Sequence, residues 1–181
     1  MRASILLLAL LATACETAGP AAPPPPVPVE RPRAVSNRDD VVRATVLRRI
    51  AELDRAAFRA VTAEVWGGRV LLLGAVVKPE QRRRAEQAAR AVEGAAEVLN
   101  EVVLAEESRL DSYRPDPARE EAVRRQLGLE GKAGTVVRVV NGIAFLLGGV
   151  ARREDAESMK ADAGDVEGVK WVVAHLKPSA P

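Results

Sequence analysis

The sequence predicts an α+β fold of two tandem α-β-β-α-β modules, each a three-stranded mixed sheet packed against two helices. Three observations carry that expectation. The stretch VWGGRVLLLGAVVKPEQRRRAEQAARAVEGAAEVLNEV from Val65 lies over VVNGIAFLLGGVARREDAESMKADAGDVEGVKWVVAHL from Val139 without a gap, the mark of an internal repeat. In that alignment Gly68, Gly74 and Gly94 fall on Gly142, Gly148 and Gly168, while Leu72, Leu73, Val76 and Val98 fall on Leu146, Leu147, Val150 and Val172. Both copies also pass through the same series of patterns: a helical period, two β-rich runs about a turn, a second helical period and a last β-rich run.

The first helix of each module is carried by Val42, Val46, Ile50 and Leu53, and by Ala122, Val123 and Leu127. The two β-rich runs that follow meet at Gly67-Gly68 or Asn141-Gly142, pairs that tolerate the positive φ of a tight hairpin. Pro79 and Glu80, or Glu154 and Asp155, open the next helix, where acids suit the positive end of the helix dipole. Its buried stripe is Ala85, Ala88, Ala89 and Val92 in one copy and Ala156, Met159, Ala163 and Val166 in the other. Gly94 and Gly168 end these helices, and β-rich runs from Glu97 to Leu104 and from Lys170 to Leu176 close the modules.

Gly74 and Gly148 occupy mid-strand positions, where glycine weakens a sheet, so each is expected to serve a close approach of the alanine helix stripe or a bulge with positive φ. Gly68, Gly74, Gly94, Gly142, Gly148 and Gly168 are therefore taken as structural. The second strand is apolar on both faces, with Leu71, Leu73 and Ala75 on one and Val70, Leu72 and Val76 on the other. Phe145 and Leu147 stand against Leu146 and Val150 in the second copy. Two helices cover only one face of such a sheet, so the other face calls for packing between the modules or against another chain.

Ahead of the repeat, MRASILLLALLATAC joins a basic start to a short apolar run and small residues before the single cysteine, Cys15, which fits an export signal. These residues resemble the lipobox of bacterial lipoproteins, with Ala12 where Leu is usual. The resemblance implies that Cys15 becomes the first mature residue and carries several acyl chains, including palmitate, enough for stable anchoring. The following ETAGPAAPPPPVPVERPRAV favours polyproline II, and residues 16 to 35 fully extended would reach roughly 60 Å. The chain divides into a signal peptide (1–14), a lipidated cysteine and proline-rich tether (15–37), module 1 (38–105), a connection (106–116), module 2 (117–177) and a tail (178–181).

The twice-used VxxGxxxLLGxV pattern, the helix closing on VEG and the valine-rich strand resemble the BON domain of bacterial osmotic-stress and nodulation proteins. A lipobox before two such modules is similar to the dual-BON outer-membrane lipoproteins of Gram-negative envelopes. That resemblance implies phospholipid binding and envelope integrity rather than catalysis. It makes the first helix of module 2, with Arg119, Val123, Arg124, Arg125 and Leu127 and no aromatic residue, a candidate lipid-contact face.

Composition narrows the remaining classes. The chain is 48% hydrophobic and 29% charged, a globular balance, and its formal net charge is only +2. Acids interleave with bases throughout and aromatic residues are 3%, which argues against nucleic acid as a partner. One histidine, His175, and one cysteine supply too few parts for a catalytic triad or a zinc site, so no catalytic residue, metal ligand or cofactor is assigned. GLEGKAGT, residues 128 to 135, has the wrong glycine spacing and element order for a phosphate loop.

Arg82 and Arg83 in one helix, and Arg152 and Arg153 at the matching place in the other copy, join Arg119, Arg124 and Arg125 as candidate anionic-lipid contacts. The expected protein is a non-catalytic lipoprotein on the periplasmic face of the outer membrane, binding phospholipid and supporting envelope integrity or osmotic-stress tolerance. Glu16 after Cys15, in place of Asp, leans away from inner-membrane retention. The alternative is a structural adaptor that binds an envelope protein and touches lipid only through its anchor.

Overall fold

The computed structural model describes residues 30–179, so the signal, Cys15 and the tether as far as residue 29 lie outside the described residues. Helix α1, Arg33–Asp54, begins inside the stretch expected as tether. Pro32 presets its first turn, and the Pro32 carbonyl accepts from the amides of Val35 and Ser36. Strands β1, Val61–Trp66, and β2, Arg69–Val76, form an antiparallel hairpin. Gly67 and Gly68 turn it with φ of 58° and 77°, the two consecutive positive values that a tight hairpin turn needs.

Helix α2, Pro79–Arg90, starts where the Gln81 side chain accepts from the amides of Val77 and Lys78. Strand β3, Glu97–Asn100, then lies parallel to β2. The last run of module 1 is not continuous as expected. It breaks at Glu101-Val102, and a short β4, Val103–Leu104, resumes the pairing with β2. Asn100 makes the break: its Oδ1 accepts from the Val102 amide while its Nδ2 reaches Glu86, and Arg82 binds the carbonyls of Asn100 and Val102.

A 3-10 helix, Glu107–Tyr113, leads to α3, Pro117–Gln126, capped by Asp116. The second hairpin, β5 Thr135–Val140 and β6 Ile143–Val150, turns at Asn141 and Gly142 with φ of 51° and 78°. Helix α4, Arg153–Gly164, and the unbroken β7, Trp171–Pro178, parallel to β6, complete module 2. Asp155, expected only as a favourable charge at the helix start, is buried and caps α4 by accepting from the Arg152 amide.

Each module has its own core between sheet and helices. Val42, Val46 and Ile50 of α1 and Ala85 and Ala89 of α2 pack on Val70, Leu72 and Val76. Val123, Met159 and Ala163 pack on Leu146 and Val150 in the same way. The opposite sheet faces meet each other, as the two-sided apolar strands require: Leu71 and Leu73 share a cluster with Val140, Phe145 and Leu147. Helices form the outer layers and the sheets the inner two. Fully burying a side chain such as Leu71 or Leu147 contributes about 1.5–3 kcal/mol, so this central layer is a second core that neither module makes alone.

The two mid-strand glycines differ: neither lies against the alanine helix stripe, and the positive φ expected as the alternative is found at Gly74 alone. Gly74 has φ of 106°, and a Cβ there would sit 1.8 Å from the Ala60 carbonyl oxygen just before β1. Gly148 has no positive φ, and its Cβ would lie 3.1 Å from the Gly134 carbonyl and from the Thr135 hydroxyl. The close partner in both modules is the start of the neighbouring strand. Only Gly74 is also required by backbone conformation.

Candidate functional site

A network of charged side chains lies at the seam between the modules. Glu64 on β1 and Arg138 on β5 bond at 2.8 Å, and Arg138 also donates to Glu120 of α3 at 2.8 Å. Burial works against the Arg138 charge, yet Glu64 and Glu120 outweigh it and raise this guanidinium above its ordinary range. Glu120 further accepts from the amide of Val139. At the other end of the seam His175 Nε2 lies 2.9 Å from Glu101 Oε1.

Glu64 and Arg138 are 74 residues apart, and so are Glu101 and His175. That separation is the repeat offset, so each contact joins a residue to its own counterpart. Equivalent surfaces meet in this way only about a two-fold axis, here a pseudo-axis lying between the sheets and crossing both contacts. The pairing is that of an isologous dimer whose two partners share one chain.

Side chains away from the axis break the symmetry. Trp66 Nε1 donates to the Gly134 carbonyl at 2.9 Å. Arg69 donates to Glu97 at 2.9 Å and to the His175 carbonyl at 2.9 Å, and Lys177 adds a third bond by reaching Glu97 at 2.8 Å. Hydrogen bonds from Lys177 and then Arg69 hold the Glu97 carboxyl below the usual range. A separate buried carboxylate, Asp39 of α1, accepts from the amides of Gly67 and Gly68 and pairs with Arg31, fixing the first hairpin turn.

The arginines expected at lipid stand on three helices of two modules, and most are engaged locally. Arg82 is spent on the break after β3, and Arg124 binds the carbonyls of Leu129 and Lys132, which ties down the glycine-containing loop before β5. Arg119 pairs with Asp116 and packs where a Cβ on Gly168 would collide with its guanidinium. Arg83 and Arg125 pair with Glu80 and Glu121 on their own helices, and Arg152, just before α4, pairs with Asp155. Arg153 is exposed and has no ion-pair partner among the described residues. Val123 is fully buried and Leu127 packs on the module core, so α3 turns its apolar residues inward.

Glu64, Glu120, Glu97, Glu101 and Asp39 were not singled out from the sequence. The signal for two of them was present in the repeat alignment, where an acid faces a base at Glu64 over Arg138 and Glu101 falls on His175. Among the described residues no group of three or more His, Cys, Asp or Glu side chains is placed to hold a metal ion, and no helix is long and apolar enough to cross a membrane.

These features define a class: a tandem-repeat α+β protein whose two modules are fused sheet to sheet about a pseudo-two-fold axis. The sequence matches the BON domain over residues 38–106 and again over 115–178, and the chain belongs to the BON domain family. The outer membrane lipoprotein DolP of Haemophilus influenzae is 32% identical over 120 residues, covering 65% of this chain and 62% of that protein. A protein of Anaplasma centrale described as uncharacterized, in the gshII 5′ region, is 27% identical over 124 residues, covering 66% of this chain and 82% of its own. Among solved structures, the C-terminal domain of CdsD, a structural protein of the type III secretion system of Chlamydia trachomatis, matches 77% of this chain and 66% of its own at 17% identity and a TM-score of 0.32.

Proposed function

We propose that this protein is a non-catalytic envelope lipoprotein, exported and anchored through acyl chains on Cys15 at the periplasmic face of the outer membrane, where its modules bind phospholipid and support envelope integrity. The observation that supports the reading most directly is the pair of BON modules behind a lipobox-like cysteine, together with likeness to a protein named as an outer membrane lipoprotein. Osmotic-stress tolerance follows as the physiological readout. Labelled palmitate is expected to enter the wild-type chain and not Cys15→Ser; equal labelling of both ends the anchor.

A second reading, a structural adaptor for an envelope protein, draws support from Arg82, Arg119 and Arg124, three of the seven arginines expected at lipid, which are tied within the fold. Flotation of Cys15→Ser protein with vesicles separates the two. Binding to vesicles without the acyl chains supports phospholipid recognition, and its absence supports the adaptor.

A further inference from the structure

The pseudo-two-fold axis gives every position at one edge of the seam a counterpart at the other, and the two edges differ in chemistry. At the first edge Glu97 meets Lys177 and Arg69. Advancing Glu97 and Arg69 by the repeat offset, and moving Lys177 back by it, yields Trp171, Ile143 and Val103. The strand registers agree: Arg69 pairs with Glu97 as Ile143 pairs with Trp171, and Ala75 pairs with Val103 as Gly149 pairs with Lys177. One edge is sealed by ion pairs. At its symmetry mate the corresponding positions are held by Trp171, Ile143 and Val103, none of which carries a charge.

The strands that form that second edge carry exposed apolar side chains. Trp171 is 66% exposed, Leu104 51% and Val103 39%, three of the four exposed large hydrophobic residues among those described. Trp171 also borders a groove of about 510 Å³ between α4 and β7, lined by Lys160 and Lys170 as well as Glu157 and Asp165.

We propose that this edge, with Trp171 at its centre, is the surface the protein lays against the phospholipid membrane. The inference rests on the membrane-anchored reading above and names the face that reading leaves open. An exposed indole beside lysine ammoniums suits the headgroup boundary, where the ring sits among acyl carbons and its N–H stays wet. Lys160 and Lys170 can meet lipid phosphates while Glu157 and Asp165 balance their charge, so contact is driven by apolar burial and is insensitive to salt. From Cys15 to the first described residue the chain can extend roughly 45 Å, ample for this edge to lie flat on the bilayer that holds the anchor.

The chain's other tryptophan, Trp66, is half-buried and hydrogen-bonded at the seam, and serves as an internal control. The full acylated chain and its Trp171→Phe variant are reconstituted in vesicles of phosphatidylethanolamine and phosphatidylglycerol, a fraction of the acyl chains carrying bromine. Wild-type tryptophan emission is expected to shift to the blue and be quenched by brominated lipid, equally at low and high salt, and Trp171→Phe is expected to lose most of that quenching. Equal quenching in both proteins, or none in a wild-type chain that remains vesicle-bound, overturns the assignment of this edge and leaves the anchor intact. Failure of Cys15-dependent palmitate labelling instead overturns the anchored reading itself.

Discussion

Gly74→Val is expected to destabilise the protein by about 3–5 kcal/mol, the sum of holding a β-branched residue at positive φ and of overpacking a closed site. The space is already taken: a Cβ would meet the Ala60 carbonyl at 1.8 Å, and that oxygen accepts from the Ala75 amide, so it cannot retreat without opening the hairpin. Gly148→Ala, at the matched place in module 2, is expected to cost only about 1 kcal/mol. Its φ is not in the left-handed region, and its nearest contacts of 3.1 Å yield with a small shift. Urea unfolding of Gly74→Ala, Gly74→Val and Gly148→Ala checks this order. Equal losses at the two positions would mean that Gly74 is not held by its backbone conformation.

Arg138→Met is expected to cost about 2–4 kcal/mol, somewhat under the about 3–5 kcal/mol for breaking a fully buried pair, because Arg138 retains some exposure. The substitution leaves two buried carboxylates, Glu64 and Glu120, facing an apolar side chain at the seam. Glu64→Gln is then expected to be less harmful in the Arg138→Met background than in the wild type, with a coupling of about 1 kcal/mol or more. Limited proteolysis of the connection, residues 106 to 116, should accelerate in Arg138→Met as the modules part. Additive losses in the double-mutant cycle would show that Glu64 and Arg138 do not act together across the axis.

Much of the fold was legible because its determinants are local. Gly67-Gly68 and Asn141-Gly142 form hairpins through their own φ preferences, and the alanine stripes of α2 and α4 follow the helical period. The need for cover on the second sheet face was visible too, since Leu71 and Leu73 alternate with Val70 and Leu72. The partners of charged side chains were not legible in this way. Arg82 and Arg124 resemble a solvated or lipid-facing charge in sequence, and become structural only because uncapped carbonyls come within their reach. Asp39 stands beside Asp40 in one helix, and the hairpin turn alone decides which of the two is buried.

The sequence by itself therefore determined two repeated α-β-β-α-β units, their turns, their individual cores and the existence of a second apolar face, since periodicity and backbone preference act over a few residues. Only the tertiary structure decided that the two faces close on each other about a pseudo-two-fold axis, that Glu64 meets Arg138 and Glu101 meets His175, and that one edge is sealed while Trp171 stays exposed. Those outcomes depend on the relative orientation of two rigid sheets. Orientation is set by the shape and charge of whole surfaces, and it leaves no period in the chain.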